Sequence, residues 1–257
     1  VDSPAFGKAD LSNCEREPIH LAGSVQPQGA LLLLSLPGLR VIQASVNTEA
    51  VLGQAAEALL KQPLSALGGD LATVLTRLLP NLGVEPLPLQ CCVGHGAARR
   101  TLEGAVHRPP GGGVVVELEA VDPEPAGTPA LTLDPEALRR LLAAGVQRFT
   151  ASASLETLQD SIVQVLRDLT GYDRVMVYRF DADGHGKIVA EARTPRLASL
   201  RGHHYPASDI PQRARELYLR NRVRVLADVD AEPQVLTPAL RPDTGAPLDM
   251  SLCQLRS

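Results

Sequence analysis

The sequence is short of several things that would place it quickly. Its four cysteines, Cys14, Cys91, Cys92 and Cys253, are widely spread. They form no CxxC and no Cys/His ligand spacing, so no metal site is expected from them. Cys91 and Cys92 are neighbours that face opposite sides of a strand, which disfavours a bridge between them. Reduced thiols in a cytoplasmic setting are the expectation. Long apolar runs are also missing. The longest, residues 30–34 (ALLLL), is far shorter than a membrane span, and no signal-peptide pattern precedes it. A basic excess is absent: net charge is −4 and pI about 5.9, which argues against nucleic acid or an anionic membrane as partner. The densest basic run, residues 220–224 (RNRVR), reads as a solvated helix end. Internal repeats and low-complexity tracts are absent too.

What is present suffices for real cores. The 257 residues are 44% hydrophobic and 21% charged, enough for one large domain or two ordinary ones. Residues 1–17 are polar and turn-rich. From 18 onward strands are expected, with 30–36 and 39–44 flanking Pro37-Gly38 as a hairpin. Asn47 is read as the N-cap of a short helix ending at Leu52. Residues 71–79 carry a helical pattern through Leu71, Val74, Leu75 and Leu78. Three more strands are expected over 87–93, 100–107 and 114–121. The whole of 18–121 reads as an α+β domain, an antiparallel sheet of about five strands with small helices on one face.

Residues 122–134 read as a linker, and 135–257 as a second domain. Its helices are expected over 135–149 and 155–169, the second ending at a Thr170-Gly171 C-cap. Strands 174–180 and 186–192 form a hairpin around Asp181–Gly184. A helix over 211–221 and a strand over 223–229 follow.

The stretch 204–218, HYPASDIPQRARELY, has unusual chemistry. Tyr205-Pro206 favours extended backbone. Ser208 and Asp209 come just ahead of Ile210-Pro211, where proline suits a helix start. Ala214, Leu217 and Tyr218 share one helical face. An acid is therefore expected at the mouth of a short helix, where the free N–H groups favour an anion.

This string resembles the PASDIPxxARxLY signature of phytochromes, the bilin-binding photoreceptors, and specifically their bacterial, biliverdin-binding branch. The resemblance extends to NCEREPIHLAGSVQPQGALLLL near the start and GYDRVMVYRFDADGHGKIVAE in the middle. It implies a PAS domain over 18–121, then a GAF domain over 135–257 that is incomplete at its C-terminal end. It also implies a figure-eight knot, the N-terminal segment threading a lasso of roughly 228–256.

A bilin has a conjugated face, four ring nitrogens and two anionic propionates, so its site needs soft walls, a central acceptor and cations at the rim. By resemblance, the Asp209 carbonyl faces the pyrrole N–H groups and its carboxylate helps place protons. Ser208 belongs to the same motif, and Ile210 and Pro211 pack over the ring plane. Tyr178, Tyr205 and Tyr218 surround the rotating terminal ring, with Met176 as a soft filler on the side of Tyr178. Three of the four tyrosines thus fall at motif positions. Arg224 and Arg256 are the propionate forks. Cys14 is the attachment residue, a thioether to biliverdin IXα. Its neighbours Glu15, Arg16 and Glu17 do not activate the thiol strongly, so reactivity must come from docking.

Two departures stand out. Gln28 occupies the place of the family's histidine in SVQPQGAL, which removes a titratable ring. The chain also stops at Ser257, where the family continues with a bilin-contacting histidine, the remaining GAF strands, a PHY domain and an output module, commonly a histidine kinase. These portions are the expected partners of the chain, which is not itself expected to be an enzyme. A homodimer is an assembly the resemblance allows. Rival readings are a PAS-GAF sensor of another ligand, such as a cyclic nucleotide or haem, and a thiol enzyme using Cys14. No His or carboxylate in a triad-like context supports the enzyme.

Overall fold

The computed structural model describes residues 17–83, 85–121, 135–210, 212–221 and 223–257. Backbone contacts divide the chain into two compact units. One joins residues up to Pro123 with Gln212–Ser257, and the other is Glu124–Pro211.

The first unit is organised by a seven-stranded sheet in the order β1-β10-β3-β2-β6-β5-β4. Its strands are β1 (Ser24–Val25), β2 (Gly29–Ser35), β3 (Arg40–Ser45), β4 (Leu87–Val93), β5 (Arg100–His107), β6 (Val114–Ala120) and β10 (Gln234–Thr237). Every pairing is antiparallel. Five strands match the expected sheet closely. The apolar run in β2 is continuous because both sheet faces are covered. Leu32 and Leu34 pack with α1 (Thr48–Leu52), α2 (Ala56–Leu59) and α3 (Leu71–Leu78), where Leu52, Leu59, Leu71 and Leu75 are buried. Leu31 and Leu33 face the other way, against Val25, Leu236, Leu248, Met250, Cys253 and Leu255. Each fully buried leucine contributes roughly 1.5–3 kcal/mol.

Asn47 precedes α1 as expected, yet its side chain caps nothing. It donates instead to the carbonyls of Pro27 (3.1 Å) and Gly29 (2.8 Å), fixing the entry to β2. Cys91 is buried and Cys92 half-buried, in keeping with opposite faces of β4.

The tail Gln212–Ser257 begins with α6 (Gln212–Arg220) and then grips residues 20–26 from two limbs. On one limb, Gln26 Nε2 donates to Val225 O (2.6 Å) and the Ala227 N–H donates to Gln26 Oε1 (2.8 Å). The Leu236 N–H donates to Gly23 O (2.9 Å). On the other, the Gln26 N–H donates to Leu255 O (2.8 Å) and the Met250 N–H to His20 O (2.7 Å). The strand expected over 223–229 is not formed: the described residues there are irregular. The alternating valines suit a strand, but a ladder needs a backbone partner. Here the Gln26 amide takes that place at Val225 and Ala227, and Val223 and Val229 stand 57% and 79% exposed.

The second unit has α4 (Pro135–Thr150), α5 (Leu155–Thr170) and a three-stranded sheet, β7 (Arg174–Phe180), β8 (Gly186–Arg193) and β9 (His204–Tyr205). Ser154 and Thr157 form a reciprocal capping box at the start of α5. Gly171 ends it in the left-handed region at φ 68°, the expected C-cap. Val163 of α5 packs on Ala190 and Ala192, with Val175 and Val177 at the margin. No helix among the described residues is long and apolar enough to cross a membrane.

Candidate functional site

In the second unit, β7 and β8 build an aromatic wall. Register runs Val177↔Ala190 and then Tyr178↔Ile188, so Val189 is an extra residue and β8 bulges there. The Tyr178 ring packs edge-on to Phe180 at 5.0 Å between centroids and lies 5.9 Å from Tyr205. Gly186 makes this possible, since a Cβ there would lie 2.0 Å from the Tyr178 ring. Met176, on the same strand, is 40% exposed. Sequence reasoning picked out the tyrosines and Met176 but missed Phe180 and Gly186. The signal for Gly186 was a glycine opening a strand just after a turn.

Beyond β9 the chain forms a 3₁₀ turn, Ala207–Asp209, with the Asp209 N–H donating to Pro206 O (3.1 Å). Ser208 and Asp209 are exposed, and Ile210 is half-buried. Asp209 was expected at a helix mouth. It belongs to this separate turn, and α6 starts only at Gln212. Ile210 is extended at φ −127°, as a residue before proline must be, which holds turn and helix apart in sequence.

In the first unit, a small recess of about 40 Å³ is lined by Ile19, Ala214, Leu217, Tyr218, Asn221, Arg224, Ser251 and Arg256. That is far below the roughly 300–1,000 Å³ of a complete small-molecule site, and suits a group the size of a carboxylate. Ala214, Leu217 and Tyr218 present one face of α6 here, as the spacing predicts. Asn221, which the sequence reading passed over, donates to the carbonyls of Leu252 and Cys253 (both 3.3 Å) and fixes the wall.

Arg256 is only 6% exposed, and its Nη1 has no hydrogen-bond partner. Val25 and Arg256 form a backbone bridge, and Arg224 Nη2 donates to the Arg256 carbonyl (3.4 Å). Burial, then the Arg224 charge, lowers the Arg256 pKa. A buried guanidinium beside a second one, with a donor left over, is arranged for an anion. Gln28 donates to Gln26 Oε1 (3.2 Å), so it joins the clasp that holds Ala227. Cys14 and Pro211 lie outside the described residues.

Comparison with known proteins divides the chain differently from the backbone contacts, since the second match runs from the second unit into the tail. Residues 14–121 match the PAS fold and residues 154–253 the GAF domain. The chain is 37% identical over 263 residues to a bacteriophytochrome of Xanthomonas campestris, covering 99% of this chain and 39% of that one. It is 36% identical over 254 residues to cyanobacterial phytochrome B of Nostoc, covering 97% and 33%. The chain thus spans about a third of the length of the curated relatives it matches. Among solved structures, the chromophore-binding domain of a Stigmatella aurantiaca phytochrome superposes with a TM-score of 0.78 at 39% identity, covering 95% of this chain and 78% of that one. The chromophore-binding domain of a bacteriophytochrome from R. palustris gives 0.83 at 34% identity, covering 95% and 77%.

Proposed function

The chain belongs to the bacteriophytochrome family, and from that premise we propose that it is the pigment-holding part of a red/far-red photoreceptor, with biliverdin IXα as its bilin. The observation that carries this reading is the buried Arg256 guanidinium, with an unpartnered Nη1 next to Arg224. A propionate carboxylate matches the guanidinium fork in geometry and cancels its charge.

A bound bilin supplies visible absorption and a double bond that isomerises between Z and E. The chain's own residues hold and surround it. Arg224 and Arg256 take the propionates. Tyr178, Tyr205 and Tyr218 wall the terminal ring, with Met176 filling beside Tyr178. The Asp209 carbonyl accepts from pyrrole N–H groups, and its exposed carboxylate is free to receive and return protons. Ser208, Ile210 and Pro211 set the backbone around it, and Cys14 provides the thioether. The grip of the tail on residues 20–26 supports a lasso of roughly 228–256 closed around the start of the described chain. In the whole protein, cytoplasmic PHY and output domains, a histidine kinase among them, receive the signal, and a homodimer transmits it.

The test is to add biliverdin and record a visible spectrum before and after red light. A strong band that converts under red light is expected, and an unaltered free-pigment spectrum overturns the proposal. In Cys14→Ser the spectrum should persist while zinc-enhanced fluorescence disappears from a denaturing gel. A fluorescent band remaining in that variant refutes Cys14 as the attachment site.

A further inference from the structure

Three side chains that the pigment reading does not use converge where the tail lies on the sheet. His107 closes β5, Glu117 sits in β6 and Cys253 comes from the tail. They are 0%, 2% and 1% exposed. His107 pairs with Val115, so both it and Glu117 project from the face that carries Val115, Leu31 and Leu33. Glu117 Oε1 lies 3.8 Å from His107 Nδ1, and Cys253 Sγ lies 3.8 Å from His107 Nε2. One ligand atom from each residue falls within 4.8 Å of the other two.

The bland reading is a buried hydrogen-bond network, and it leaves one group unserved. At 3.8 Å the His107–Glu117 contact is too long for a hydrogen bond, and His107 Nδ1 has no partner at all. Glu117, by contrast, is aimed. The Gln254 N–H donates to its Oε1 (3.1 Å) and the Leu255 N–H to its Oε2 (2.6 Å), which leaves further lone pairs open. Imidazole, carboxylate and thiolate together are a zinc-type donor set. Tetrahedral bonds of about 2.0–2.3 Å place ligand atoms roughly 3.5 Å apart, so the three groups, with one atom each within 4.8 Å of the others, need to close in only slightly around an ion. A divalent cation would balance one carboxylate and one thiolate in a place where bare anions are costly.

We propose that His107, Glu117 and Cys253 bind one zinc-class divalent cation that staples the tail to the sheet. The staple holds Cys253 three residues before Arg256, so it also steadies the anion recess. Spacing could not reveal it, because the third ligand lies more than a hundred residues beyond the other two.

The test uses the bilin-free 257-residue chain, stripped of metal and titrated with cobalt(II). One equivalent should bind with a near-ultraviolet thiolate-to-cobalt charge-transfer band, and zinc should displace it. Cys253→Ser and His107→Gln should abolish the band, while Cys14→Ser and Cys92→Ser keep it. No band in the unsubstituted chain, or a band surviving Cys253→Ser, overturns the proposal. Should the Cys253 or His107 variants fail to fold, X-ray absorption of the zinc-loaded unsubstituted chain decides. One sulfur with nitrogen and oxygen neighbours supports the site, and a shell without sulfur refutes it.

Discussion

The two units use their sheets differently. In the first, β2 is covered on both faces, by helices over Leu32 and Leu34 and by the tail over Leu31 and Leu33. In the second, among the described residues, the buried apolar cluster joins Val163, Ala190 and Ala192, and Met176 and Phe180 on β7 stay 40% and 39% exposed. A residue buried on a covered face is held by its neighbours' volumes and has little freedom to do anything else. A partly open strand face can carry side chains selected for a ligand. The first unit therefore has the larger buried core, and its tail edge and the second unit's strand face carry the residues proposed to hold the pigment.

The sharpest break in that comparison is a cavity on the tail side of β2. Leu33→Ala should cost about 2–5 kcal/mol, because Leu33 is fully buried between β2 and the tail. Val163→Ala in the second unit removes less carbon from a smaller cluster and should cost about half as much. Urea unfolding of both variants is the check. Equal losses would show that the two cores bear similar loads.

Next in size is the recess. Arg256→Ala should weaken biliverdin uptake by about 1.5–3 kcal/mol, the range for a hydrogen bond to a charged group. Arg256→Lys keeps the charge but loses the fork, and should recover only part of the affinity. Arg224→Ala should cost less, since Arg224 is exposed and more of its charge is screened. Pigment titration followed by absorbance measures all three. Full recovery by lysine would mean that charge alone is used.

Acid separates the units in another way. Glu191 of β8 is 3% exposed at its side chain. Burial alone would raise its pKa, but the Ser199 hydroxyl (2.6 Å), the Leu200 N–H and Arg174 (3.1 Å) outweigh burial and hold it below the ordinary glutamate value. A folded-state pKa that is depressed gives stability present above the unfolded pKa and lost as pH falls through the folded one. The second unit should therefore lose stability on acidification below the ordinary carboxylate range. Glu191→Gln should be less stable than the parent at neutral pH, with the gap narrowing in acid. A gap independent of pH would assign the loss to packing.

Much of this architecture was readable beforehand, for identifiable reasons. The strands 30–36, 39–44, 87–93, 100–107 and 114–121, and the two long helices, carry strong periodicity closed by turns and glycines, so they fall within a residue or two of the observed ends. The tail was not readable. β10 is four residues long and pairs with a strand almost two hundred residues earlier, and local pattern holds no record of that. The valines of 223–229 suggested a ladder whose partner is a glutamine side chain. Asn47 was seen as a cap because cap and anchor draw on the same amide chemistry. At the site, the tyrosines and arginines were found by resemblance to a motif. Asn221 and Gln26 act by supporting others, and nothing in their own spacing marks them, whereas Gly186 carried only the weak mark of a glycine opening a strand.

Asp209 gives the smallest expected effect on folding and the most specific one on function. It is exposed in a 3₁₀ turn outside any helix, and the turn is closed by backbone, the Asp209 N–H meeting Pro206 O. Asp209→Ala keeps that N–H and the carbonyl, so the turn and its acceptor survive. Stability should change by no more than about 0.5 kcal/mol, as for most exposed positions. Biliverdin uptake should stay near that of the parent, since Arg224 and Arg256 are intact. Only the carboxylate is lost, and with it the group proposed to receive and return protons. The variant should therefore take up pigment, photoconvert poorly and fluoresce more strongly. Asp209→Asn separates shape from charge: if it behaves like alanine, proton handling is the role. Normal photoconversion in both variants would place that role on another residue.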